Sequence, residues 1–229
     1  MLNEVVNSVP VLLALTIGAY IFGIWLRAKT KLAMLNPMLT SIPIIITVLL
    51  VFDIEPSHYI ESNRIISFLL GPCVVSLGLI LYDHRKLIVQ HWISIVTSVV
   101  VGSLVGVGSV LLLCRWFHLD QLFVASLVPK SVTLPIALEV IKPIGGVASV
   151  TALSVAICGL FGGIFGPVIL RCLGIRNPLA VGSALGSASH GIGTARALEE
   201  GAIQGAFSGL CMALMGVATA VLVPLLHLF

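Results

Sequence analysis

Apolar residues run along this chain in long unbroken blocks, not in the strict alternation of a half-buried strand. Six blocks read as membrane crossings: residues 10–26, 37–52, 65–81, 92–114, 147–170 and 203–228. A crossing helix needs ~20 mostly apolar residues, and continuous runs without period-two alternation predict helices rather than barrel strands. The third block carries Gly71-Pro72, which predicts a kink inside it.

Two further stretches have a different character. Residues 127–140 (LVPKSVTLPIALEV) and 178–198 (PLAVGSALGSASHGIGTARAL) are apolar enough for membrane depth, yet rich in Gly, Pro, Ser and Thr. Each predicts a broken helix. Basic residues orient the chain. Arg27, Lys29 and Lys31 follow the first block, so that loop is expected to be cytoplasmic and the amino terminus outside. Asp53, Glu55 and Glu61 then fall outside, Arg85 and Lys86 return the chain to the cytoplasm, and Asp120 lies outside again. Full crossing by residues 127–140 would leave Arg171 and Arg176 outside. A dip from the outside and back leaves both arginines cytoplasmic, with residues 178–198 dipping in from the cytoplasmic face. The charge rule favours two opposed dips, a design of many secondary transporters; crossing helices with unwound centres are the alternative. Glycines four residues apart (Gly102/Gly106, Gly162/Gly166, Gly182/Gly186, Gly205/Gly209) predict flattened, closely packed helix faces. Asn36-Pro37 and Asn177-Pro178 each open a segment after a basic loop, a short match that fits an internal, inverted repeat.

Composition makes lipid the solvent. Hydrophobic residues are 59% of the chain, charged residues 9%, and mean hydropathy is +1.17. A soluble domain carries about 25% charged residues. The expected fold is an all-α polytopic membrane protein, a single transmembrane domain over residues 1–229. Residues 1–118 form its first half and 119–229 its second. The net charge of +3 is too small and scattered for nucleic acid. Five cysteines (Cys73, Cys114, Cys158, Cys172, Cys211) stand singly, without metal or redox spacing, and read as small buried residues. Glu4 but no basic residue precedes the first block, and no convincing cleavage site follows, so a retained helix is expected rather than a signal peptide.

Charges at membrane depth cost ~2.5–3.5 kcal/mol each on insertion scales, so each needs a reason. Lys130 has Ser131 and Thr133 beside it, with Glu139 at the far end of the same segment. The second segment holds Ser189, His190, Gly191, Gly193, Thr194 and Arg196. A broken helix exposes amides at the start of its second half, and these bind anions. Pro135 can begin one such half-helix and the Ser189–Thr194 turn another. The glycines let backbone approach a ligand closely. Lys130 and Arg196 could hydrogen-bond a carboxylate while hydroxyls read a neighbouring keto or hydroxy oxygen. His190 could bond substrate or carry a coupling proton. Glu139 and Asn36 are coupling or structural candidates. Structural readings stand beside these. Lys130 could snorkel or pair with Glu139, Arg196 could pair with Glu199 or Glu200, His190 could be a packing residue, and Asn36 an ordinary helix cap. Ser189 and His190 are adjacent in sequence with no orienting acid and no nucleophile elbow, so no enzyme, metal or cofactor is expected.

The runs VPKSVTLPIALEV (residues 128–140), FGPVILRCLGIRNPLAVGSALGSASHGIGTARALEEG (165–201) and GAFSGLCMAL (205–214) resemble the LrgB/CidB family of bacterial inner-membrane proteins. The first half agrees in pattern, through LNPML and the GP-containing block. The resemblance implies a multi-pass protein of the bacterial inner membrane and two functional accounts. One is transport of small monocarboxylates, such as pyruvate for bacterial members and glycolate and glycerate for a plastid relative. The other is holin- or antiholin-like modulation of murein hydrolase export and lysis, acting with a small LrgA/CidA-type membrane partner. The expected partners are thus a small carboxylate, the lipid bilayer and that subunit. A homo-oligomer is compatible with the sequence.

Overall fold

A computed structural model describes residues 6–30, 35 and 37–226, and all regular structure among them is helical. Glu4, Lys31 and the candidate Asn36 lie outside the described residues. The chain divides into two compact units, Met1–Ser76 and Leu77–Phe229.

The first unit holds α1 (Val9–Thr30), α2 (Pro37–Val51), α3 (Pro56–Ser62) and the start of α4 (Arg64–Asp83). Helices α1 and α2 meet at Gly23, where a Cβ would fall 2.7 Å from Pro37 Cα. Thr16 Oγ1 lies 2.7 Å from the Tyr59 hydroxyl and 2.8 Å from Asn63 Oδ1, which ties α1 to α3 and its exit. Helix α2 ends at a turn in which Asp53 takes a φ of 51° and Ile54 N donates to Leu49 O. That six-to-one bond closes the helix. Helix α4 continues through Pro72 as one element.

The second unit contains α5 (Arg85–Gln90), α6 (Trp92–Trp116), α7 (Gln121–Leu127), α8 (Leu134–Ile141), α9 (Ala148–Cys172), α10 (Pro178–Glu200) and α11 (Ala202–Leu226). Across both units, four described helices are long and apolar enough to cross a membrane: Val9–Thr30, Trp92–Trp116, Ala148–Cys172 and Ala202–Leu225. Six crossings are not established. Helix α2 is apolar, but its 15 residues rise only about 22 Å, short of a ~30 Å hydrocarbon layer. Leu112, Leu153 and Val217 on the long helices of the second unit are exposed, as lipid-facing residues are.

The two polar stretches are both hairpins. In the first, α7 leads into a turn at residues 128–133 and α8 leads back. Gln121 and Ile144 line one small cavity, so the hairpin's two ends lie together. Its arms pack on Val107, Val110 and Cys114 near the carboxyl end of α6. In the second, α10 breaks at Ser189 and His190, and Val181 and Glu200 line one cavity at its base. A Cβ on Gly193 would collide with Leu185 O, as two arms lying side by side require.

Val223 packs with Val107 and Cys114, so α6 and α11 run the same way. Arg171 near the end of α9 pairs with Glu200, just before α11 begins, so α9 runs opposite to α11. The second unit therefore repeats one plan in opposite directions. A long helix is followed by a hairpin entered from its carboxyl end, first α6 with α7–α8, then α9 with α10, and α11 closes the unit. Both stretches thus turn back on themselves and enter this unit from opposite ends.

Candidate functional site

At the first tip, Val128 and Pro129 are buried, and Lys130 N and Val132 N donate to Leu127 O and Pro129 O. Thr133 is the extended residue that precedes α8, and Pro135 stands in that helix's first turn. This places Lys130 and Ser131 at the point of reversal. Lys130 Nζ donates to Ser131 Oγ at 3.3 Å, and no carboxylate among the described residues pairs with it.

At the second tip, Ser189 has φ −133° and ψ 18°, and His190 has φ 41° and ψ −132°. A non-glycine residue with this φ is strained and persists only where its surroundings hold it. His190 is held by Nε2, 3.0 Å from Val155 O. Its ring lies against Gly159, where a Cβ would come within 2.6 Å of Cε1. The glycines of α9 thus form the groove that seats this tip.

The two tips meet on α9. Cys158 Sγ donates to Ala188 O at 3.3 Å and lies 3.9 Å from Ser131 Oγ. Two cavities flank the meeting point. The larger, about 780 Å³, runs from His91 and Asn177 past Ser94, Ser98, Gly102 and Gly106 of α6 and Ser183 and Ser187 of α10. It ends at Lys130, Ser131, Cys158 and Ala188. The smaller, about 460 Å³, is lined by Leu127, Val150, Leu153, Ile157, Phe161 and Ser189, and again by Lys130, Cys158 and Ala188. The hydroxyls of Ser183, Ser98 and Ser187 also surround the buried Cys211 thiol on α11. Ser187 Oγ is sealed from solvent.

Of the candidates read from the sequence, the structure brings Lys130, Ser131 and Ser189 to the cavity walls and sets Thr133 beside them, at the start of α8. His190 turns into the α9 groove. Thr194 Oγ1 donates to His190 O and lies 3.0 Å from Ser208 Oγ, inside the packing of α10 on α11. Gly193 packs on Leu185 O, whereas Gly191 borders open space. Arg196 lies at the base of its hairpin, 2.5 Å from both Glu199 and Glu200. Glu139 pairs with Lys142 at 2.5 Å on an exposed surface rather than with Lys130. No group of three His, Cys, Asp or Glu side chains among the described residues could hold a metal.

Several wall residues were not singled out from the sequence. Ser94 and Ser98 continue the four-residue spacing of Gly102 and Gly106 backwards, so that spacing extended by two steps would have found them. Cys158 gave no signal. It is one half-buried cysteine in an apolar run, beside buried Cys114 and Cys211 and exposed Cys172.

Long apolar helices and two opposed hairpins define the class: a multi-pass α-helical membrane protein with a polar meeting point inside it. The chain belongs to the LrgB-like family, whose model matches residues 16–229. It is 37% identical to the uncharacterized protein YxaC of Bacillus subtilis over 94% of each chain. It is 34% identical to the holin-like protein CidB of Staphylococcus epidermidis over 99% of each chain. To the antiholin-like protein LrgB of B. subtilis it is 29% identical over 93% of this chain and 92% of the other. No solved structure matches.

Proposed function

We propose that this chain is a secondary carrier for a small carboxylate anion and that Lys130 is its binding cation. The observation that supports this reading is the shared wall: Lys130, Cys158 and Ala188 border both cavities. A solute at Lys130 would thus border both cavities. A pore needs a continuous path, whereas a carrier needs a site that faces each side in turn. An ammonium without a carboxylate partner among the described residues favours a carboxylate ligand through charge-assisted hydrogen bonds. The Ser131 hydroxyl beside it could read a keto or hydroxy oxygen, which makes pyruvate and glycolate the first substrates to try. In this reading the membrane is the bacterial inner membrane and the amino terminus is outside. The basic end of the second unit, with Arg171 and Arg176, is cytoplasmic. A small LrgA/CidA-type subunit assists.

A second reading is favoured by the names of the Staphylococcus and Bacillus relatives. It is a holin- or antiholin-like modulator of murein hydrolase export and lysis. Uptake of labelled pyruvate and glycolate into proteoliposomes, with and without the partner, separates the two. Saturable uptake that Lys130→Ala removes in a monodisperse protein supports the carrier. Leakage of unrelated solutes, or no flux under any gradient, supports the second reading.

A further inference from the structure

Cys158 belongs to neither polar cluster of the sequence, yet it touches both hairpin tips. Its acceptor, Ala188 O, lies in the last turn before the break at Ser189 and His190. Carbonyls in such a turn have no amide from their own half-helix. The neighbouring surface of α9 has no slack, since Cβ atoms on Gly159 and Gly162 would overlap His190 and Ser189. Among the described residues, the thiol is thus the α9 side chain that bonds the second tip's backbone while standing beside the first tip's Ser131.

We propose that Cys158 is the latch of the partition. While its thiol rests on Ala188 O, the tips stay together and the two cavities are separate. When it lets go, the tips part and the Lys130 site changes the side from which it is reached. The latch rests on the carrier reading for what passes, but not for the movement itself. An adduct on Sγ removes the donor to Ala188 O, so modification of the same thiol should change flux.

The test uses the full chain with Cys73, Cys114, Cys172 and Cys211 changed to Ala, in sealed vesicles of each orientation. A small charged, membrane-impermeant methanethiosulfonate is the probe, and intact mass is the readout. Labelling of Cys158 from both faces, slowed by saturating pyruvate, with uptake changed in proportion to the adduct, is the expected result. The wild-type chain read at peptide level gives the same comparison should the quadruple variant fold poorly. Cys158→Ser, which keeps a donor, should lose sensitivity to the probe and should alter uptake less than Cys158→Val does. Cys158→Val, which keeps the volume without the donor, should change uptake about fivefold, the weight of one hydrogen bond.

Labelling from one face only, or a full adduct with unaltered uptake, overturns the latch. Labelling from both faces in a protein without saturable uptake overturns the carrier reading and leaves the latch standing.

Discussion

Lys130 and Arg196 look alike in the sequence, each a cation beside hydroxyls in a broken apolar segment. Their surroundings separate them. Arg196 lies six residues past the break, about 9 Å along its arm at 1.5 Å per residue, where Glu199 and Glu200 neutralise it. Lys130 is at the tip, where its partner among the described residues is Ser131. Lys130→Met should lower kcat/KM for carboxylate uptake about 10- to 100-fold, the worth of a hydrogen bond to a charged group. Arg196→Gln should leave it nearly unchanged and cost about 1 kcal/mol or less in unfolding measurements, because the ion pairs it loses are partly solvated. A large uptake loss in Arg196→Gln with stability intact would return that residue to the site. His190 belongs to the same scale. His190→Ala removes the bond to Val155 O while keeping the strained backbone, so thermal unfolding in detergent should show a loss of about 1–3 kcal/mol. His190→Gly, which accepts the positive φ, should lose less. The residue types at the site were legible because charge at membrane depth is rare. Which cation stood at the tip was not, since it depends on where Ser189 and His190 reverse the chain.

Glycine spacing carries the element scale. Residues four apart were read as packing, and Gly162, Gly166, Gly182 and Gly186 do seat α10 against α9 and α11. Gly102 and Gly106 instead face the larger cavity with Ser94 and Ser98. Spacing cannot separate these uses, because a neighbouring helix and a solvated cavity both need a face without side chains. Substitution can. Gly162→Val must displace Ser189 and should destabilise the fold by about 1–3 kcal/mol, the usual cost of overpacking. Gly108→Ala meets nothing within 4 Å and should be neutral. Gly106 is intermediate: its Cβ would lie 3.8 Å from Ser131 Oγ, ordinary contact. Gly106→Val should therefore fold, yet lower uptake most for the longest acids, because its branches would stand against Ser131 in the larger cavity. Equal loss for two- and four-carbon acids would place the path elsewhere.

At the scale of the molecule, the charge rule and the fold make one statement through different physics. Two arginines preferred opposed dips over crossings, and the hairpins return to the ends from which they enter. What the sequence could not supply was the pairing of tips, because the contacts of Cys158 with Ser131 and Ala188 join positions 27 and 30 residues apart with no shared motif. The arrangement has a consequence for sidedness that no single residue controls. Both ends of a hairpin must face the same side, and the two hairpins must face opposite sides. Single cysteines at Arg176 and Glu199 flank the second hairpin, and one at Lys142 lies beside the end of the first. In intact cells an impermeant maleimide should label Lys142→Cys, whereas Arg176→Cys and Glu199→Cys should label only after the membrane is opened. If Arg176→Cys and Glu199→Cys label from opposite sides, α10 crosses rather than dips. The partition and the latch would then fall together, since both require tips that meet from opposite faces. If the two label together but on the outer side, the hairpins stand and only the orientation reverses. The larger cavity with its serines would then open outward.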